Sequence, residues 1–150
     1  DINGAAQIAG AELRATDFAF QHDHSGVSVS MDLSAAYPGE AGIVSLRRRA
    51  TLENGGKRFT LRDAWKLETA ESVVFNLLSA FKPMIKASGQ IAFDQHECRM
   101  TITGNEVDAT VERLVLEDPK LTRSWGEEIF RIRLDVNEPR PEGELTLIFA

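Results

Sequence analysis

Apolar and polar positions alternate with a period of two through most of the chain, which is the spacing of β-strands. The clearest run is Val27 to Leu33, with Val27, Val29, Met31 and Leu33 on one face and Ser28, Ser30 and Asp32 on the other. Residues 129–136 repeat it, setting Phe130, Ile132, Leu134 and Val136 against Arg131, Arg133 and Asp135. Residues 11–21 read as a strand with Leu13, Ala15 and Phe18 or Phe20 inward, bulged near Thr16-Asp17 where the alternation breaks. His22 to Gly26 is a turn, and Ser34 to Tyr37 make one helical turn stopped by Pro38-Gly39. Residues 72–80 are apolar on both faces, as in a central strand, and Lys82-Pro83 ends them. A meander follows over residues 90–94, 98–103 and 107–116, broken at Gln95-His96 and Gly104-Asn105-Glu106. Asp118-Pro119 opens a loop through Ser124-Trp125-Gly126, and Pro139 to Gly143 turn the chain into a last strand. No long stretch keeps a helical period. Roughly ten short strands with turns every 8–12 residues predict an all-β, antiparallel β-sandwich with little or no helix, a single domain over residues 1–150.

One hairpin has a definite predicted register. Val44, Leu46, Arg48, Ala50 and Leu52 share a face, as do Phe59, Leu61, Asp63, Trp65 and Leu67 on the return strand. Asn54-Gly55 suits a two-residue type I′ loop, which would pair Glu53 with Gly56 and set Arg48 opposite Leu61 and Leu46 opposite Asp63. Arg48 and Asp63 then become diagonal neighbours on the apolar face. Two inward charges on adjacent strands predict a structural ion pair, because either alone would carry a desolvation penalty of several kcal/mol.

Net charge narrows the partners. A balance of −6 with a pI near 5.1 argues against nonspecific binding to nucleic acid or an anionic membrane. An acidic polysaccharide would need a local basic patch. The single cysteine, Cys98, rules out an intrachain disulfide. It heads a face with Met100 and Ile102, which predicts an inert core thiol. No apolar run approaches the ~20 residues that span a bilayer, and residues 1–4 have no signal-peptide character. The chain reads as a domain excised from a longer protein.

Candidate chemistry is sparse. His22 and His24 fall on one face near Asp17 and Asp23, but His96 is the only other imidazole, and a solvated turn is the plainer reading. Tyr37, the only tyrosine, has no basic neighbour in sequence to activate it and is expected to pack. In the run 47–49, Arg48 faces inward, while Arg47, Arg49 and Arg62 could gather on the outer face and attract uronate carboxylates. Trp65 lies on the core face. Trp125, in a loop, is the aromatic placed to stack on a sugar ring. No Ser-His-Asp order, glycine-rich phosphate loop or paired-cysteine spacing occurs, so no catalytic and no metal residue is assigned.

Ile2-Asn3-Gly4-Ala5-Ala6-Gln7 and Met31-Asp32-Leu33-Ser34-Ala35-Ala36-Tyr37-Pro38, with Arg48, Leu61-Arg62-Asp63, Ser124-Trp125-Gly126 and Phe130-Arg131-Ile132, together resemble the C-terminal β-domain of heparinase II/III-like polysaccharide lyases. Order and spacing carry the likeness, since no motif is specific alone. It implies a large bacterial enzyme with an α/α-toroid that cleaves uronic-acid polysaccharides, glycosaminoglycan or alginate, by β-elimination. The family's catalytic Tyr and His and its zinc ligands would lie upstream, the last ligand in a His-Asn step just before Asp1. Tyr37 matches an Ala-Tyr step of the pattern, not the catalytic tyrosine. The implied role is a C-terminal support, inactive alone, whose partners are the upstream domains. A carbohydrate-binding module and a purely structural sandwich are the alternatives. The bacterial compartment, periplasm or cytoplasm, stays open.

Overall fold

A computed structural model describes residues 1–7, 10, 12–53, 55–86, 89–93 and 97–150. The described residues form eleven antiparallel strands in two sheets, an all-β sandwich. The larger sheet has eight strands in the order β1 (Thr16–Asp23), β2 (Gly26–Asp32), β3 (Ile43–Glu53), β4 (Phe59–Leu67), β11 (Glu142–Phe149), β8 (Arg99–Gly104), β7 (Gln90–Phe93) and β6 (Pro83–Lys86). The smaller has β5 (Val74–Ser79), β10 (Glu128–Val136) and β9 (Val107–Val115), with β10 central. Two short 3₁₀ turns, Ser34–Ala36 and Gly39–Ala41, join β2 to β3.

The core lies between the sheets. From β10 it takes Phe130, Ile132, Leu134 and Val136, all buried as their alternation predicts. Against them the larger sheet sets Leu46, Trp65, Leu145, Leu147 and Met100. Trp65 of β4 meets Phe75 of β5 with ring centroids 6.0 Å apart, so an aromatic pair bridges the two layers. The indole N–H donates to the Arg140 carbonyl at 3.1 Å, which satisfies the one polar atom of this buried ring.

Three strands do not cover eight. β1 is exposed along its whole length, and Phe18 and Phe20 keep 68% and 61% of their surface open. Their expected burial is therefore corrected: Phe20 shares the face of its partner Val29, but the smaller sheet does not reach it. The bulge near Thr16-Asp17 is present, with the register shifting between Thr16 and Ala19 and Asp17 at φ +51°.

Other expectations change as well. Residues 74–79 form an edge strand, not a central one, and Leu78 on its outer face is exposed. That strand ends at Ser79, before Lys82-Pro83 as expected, and Pro83 then begins an edge strand, a place where a missing N–H is tolerated. The supposed meander splits, because β7 and β8 pair in the larger sheet while β9 crosses to the smaller one. The loop after Asp118 holds a short helix, α1 (Pro119–Trp125), opened by the Asp118 carboxylate accepting from the Lys120 N–H at 2.7 Å. Cys98 precedes β8 and is exposed, so it is not a core thiol. Asn54 and the break at residues 95–96, His96 included, lie outside the described residues.

Candidate functional site

The hairpin β3–β4 builds the centre of the candidate site. Its register sets Leu52 opposite Phe59, so the turn is longer than the two-residue loop expected, and Glu53 receives the Gly56 N–H at 2.9 Å. Gly55 and Gly56 take the positive φ values, +93° and +68°. The longer turn moves Arg48 from opposite Leu61 to opposite Asp63, and Leu46 to opposite Trp65. The predicted ion pair is thus present, but as direct cross-strand partners instead of diagonal ones.

Arg48 Nε donates to Asp63 Oδ1 at 2.7 Å and Nη2 donates to Oδ2 at 2.8 Å. This bidentate fork is the strong form of the Arg–carboxylate contact. The Asp63 side chain is 4% exposed and that of Arg48 36%, so the carboxylate is buried and the guanidinium sits at an opening. The hydrogen bond to Asp63 pushes the Arg48 titration further up, against burial.

Tyr37 is carried to the same place by the link from β2 to β3. Leu33 N–H donates to the Leu46 carbonyl at 2.7 Å, and the Ser34 N–H and hydroxyl both donate to Asp32 Oδ1, the former at 2.8 Å. Burial acts to raise the Asp32 carboxyl. The Ser34 bonds, with the Leu46 backbone and the Arg47 charge, outweigh it and hold the group below its ordinary range. This corner seats Tyr37 half-buried against the core, as the packing reading expects. Burial pushes its hydroxyl up, and the ring lies within electrostatic reach of both Arg48 and Asp63.

Tyr37, Arg48 and Asp63 line a cleft of about 480 Å³ between the sheets. Leu61 and Leu147, beside the pair on the same sheet face, and Phe75 of β5 are apolar residues of its lining, and Gln7 and Asn76 are polar ones. The segment before it is fastened by Asn3, at φ +50°. Asn3 Nδ2 donates to the Ala41 and Thr69 carbonyls, each at 3.0 Å, and Oδ1 accepts from the Glu71 N–H at 2.9 Å.

Arg47, Arg49 and Arg62 share the outer face of β3 and β4, with Arg49 directly opposite Arg62. They are engaged there. Arg47 lies 3.0 Å from Asp17 and 3.5 Å from Asp32, and Arg62 pairs with Glu144. Arg49 donates to Ser28 Oγ at 3.0 Å and to Gln21 Oε1 at 3.3 Å.

Trp125 ends α1 on the other side of the sandwich, 57% exposed, beside an apolar groove with Leu78, Leu121 and Ile129. The arginines and Trp125 therefore do not converge. His22 ends up near the tip of the β1–β2 hairpin and His24 in its turn. Among the described residues, no group of three or more His, Cys, Asp or Glu side chains is arranged to hold a metal.

The cleft itself was not read from the sequence. Its local signal is the Ala-Tyr step that follows a strand and precedes an inward arginine, and it becomes a site only once the hairpin register is known. No protein-family model matches the chain, and no curated protein matches it.

Proposed function

We propose that this chain is the C-terminal β-sandwich of a heparinase II/III-like polysaccharide lyase, supporting the full enzyme and inactive alone. One observation carries the reading: several of the stretches on which the resemblance rests, residues 2–7, 31–38, Arg48 and 61–63, come together in one connected unit. The Asp32-Leu33-Ser34 corner delivers Tyr37 to the Arg48–Asp63 pair, and Asn3 ties the other matched segment to the same region through Ala41. These residues do the work of positioning. The exposed edge strand β1 offers a surface on which upstream domains could rest. The reaction of the whole enzyme, β-elimination beside a uronate carboxylate, and its zinc would belong to residues upstream.

The test is the coding sequence 5′ of the Asp1 codon, where a His-Asn step preceded by a long helical region is expected; any other sequence overturns the assignment. Incubation of the isolated chain with heparin, heparan sulfate and alginate should give no rise in unsaturated-product absorbance, and robust turnover would refute the supporting role.

The exposure of Trp125 favours a second reading, a carbohydrate-binding module that stacks a sugar on that indole. Retardation in gels containing soluble polysaccharide, lost in Trp125→Ala, would establish it over the first.

A further inference from the structure

We infer that the cleft between the sheets is a binding site for one uncharged, hydroxyl-rich ring, a neutral monosaccharide unit, recognised by Arg48, Asp63 and Tyr37. The inference is independent of the two readings above, which use neither this cleft nor its residues as a ligand site. At about 480 Å³ the cleft falls within the ~300–1,000 Å³ range of small-molecule sites.

Its lining mixes polar and apolar groups side by side. On the inner face of the larger sheet the Arg48–Asp63 pair stands beside Leu61 and Leu147, and Phe75 of β5 and Tyr37 complete the lining. A sugar ring mixes the same two kinds of group, with hydroxyls around its edge and C–H groups on its face.

Hydrogen-bonding capacity fits as well. Asp63 takes N–H groups from Nε and Nη2, so the guanidinium keeps donors free to meet a ligand oxygen. The carboxylate keeps lone pairs that can accept from a ligand hydroxyl, and the phenol can do either. Neighbouring hydroxyls, each both donor and acceptor, satisfy such a mixed set; a carboxylate, which only accepts, does not.

Charge points the same way. Asp63 offsets Arg48 within the pair, so the cleft holds no uncompensated cation from that pair for an anion to neutralise. An anionic guest would instead lie beside a buried carboxylate, in surroundings where repulsion is poorly screened.

The test is a titration of the ¹⁵N-labelled chain with the methyl glycosides of glucose, galactose and mannose, and separately with glucuronate, followed by ¹H–¹⁵N shifts. Saturable shifts at Arg48 Nε–H and at the Leu61 and Leu147 amides are expected with at least one neutral glycoside, and no tighter response with glucuronate. Tyr37→Phe should weaken that binding roughly tenfold, the loss of one hydrogen bond. Leu61→Phe, which fills the cleft, should abolish it while the spectrum stays dispersed. The inference is overturned if no neutral glycoside moves these signals, or if glucuronate binds the cleft more tightly. It also fails if Tyr37→Phe binds as well as the parent, or if the shifts vanish in Trp125→Ala but survive in Leu61→Phe.

Discussion

Arg48 and Asp63 face each other directly across β3 and β4 and share two hydrogen bonds of 2.7 and 2.8 Å. The burial is unequal, and that sets what a substitution does. Arg48→Met strands a carboxylate that is 4% exposed, and should destabilise the domain by about 3 kcal/mol. The lower end of the range for buried pairs applies because the Arg48 side chain keeps 36% exposure and water can partly replace it. Arg48→Met combined with Asp63→Leu removes both charges and should recover most of the loss. Urea unfolding of the two variants decides it: a double variant as unstable as the single one would mean the pair is not what the hairpin needs.

That pair also shows how far the sequence could be read. Strand parity puts Arg48 and Asp63 inward regardless of loop length, as long as the register shifts by an even number of residues. Parity does not set which residues stand opposite, because that depends on the turn, and Gly56 joins Gly55 there at positive φ. The same limit governs the larger errors. Alternation identified the strands around Val29 and Ile132, but alternation carries no information on which sheet a strand joins. Phe20 is left uncovered by an eight-over-three arrangement, and Leu78 by its place on the outer face of the smaller sheet, both of which only tertiary structure reveals. α1 was legible in principle from Asp118-Pro119, a cap followed by proline, yet it is too short to show a helical period. The cleft joins residues from the β2–β3 link, β3, β4 and β5, so no single stretch announces it.

Gly143 of β11 lies flat against Trp65. A Cβ there would stand 2.3 Å from Cζ2 and 2.6 Å from Cε2 of the indole, and 2.8 Å from Asn105 Oδ1. Gly143→Ala must displace a buried ring that also bridges to Phe75, and should cost about 3 kcal/mol, the upper part of the usual overpacking range. For a domain of this size that lowers Tm by roughly 6–12 °C. Gly39→Ala is the matched control, because its added methyl meets nothing within 4 Å, and it should change stability by less than about 0.5 kcal/mol. Thermal unfolding followed by tryptophan fluorescence checks both, and a Gly143→Ala variant as stable as the parent would contradict the close contact.

Asp32 predicts a pH dependence with a definite sign. Its carboxyl titrates below the ordinary value of 3.8 in the folded chain, so the ionised form stabilises the fold. That stabilisation is complete above the unfolded-state value and is lost as pH falls through the folded-state one. The charge facing it is Arg47 at 3.5 Å, and Asp17 shares that arginine from β1. Asp32→Asn keeps an oxygen to accept from Ser34 but loses the charge that strengthens those bonds, and should therefore lower stability by about 1 kcal/mol at neutral pH, the difference between hydrogen bonds to charged and to neutral acceptors. The gap between variant and parent should close on acidification below 3.8. Urea midpoints at several pH values measure it, and a gap that stays constant into acid would show that the Asp32 charge is not responsible.

The uneven cover of the larger sheet predicts uneven protection. β10 is hydrogen-bonded on both sides, to β5 from Phe130 to Asp135 and to β9 along its length, with Ile132 and Leu134 almost fully buried. β1 pairs on one side only, is interrupted by the Asp17 bulge, and is exposed throughout. Local opening of β1 exposes little new apolar surface, whereas opening β10 takes the core apart. Amides of β1 that bond to β2 should therefore exchange with solvent at least roughly a hundredfold faster than those of Ile132 and Leu134, a difference of ~3 kcal/mol in opening free energy. Hydrogen exchange on dilute, monomeric chain reads this directly. Equal protection of the two strands would require something to cover β1, and repeating the measurement across a concentration series would show whether that cover is a second copy. Concentration-independent equality would refute the picture of a free wing.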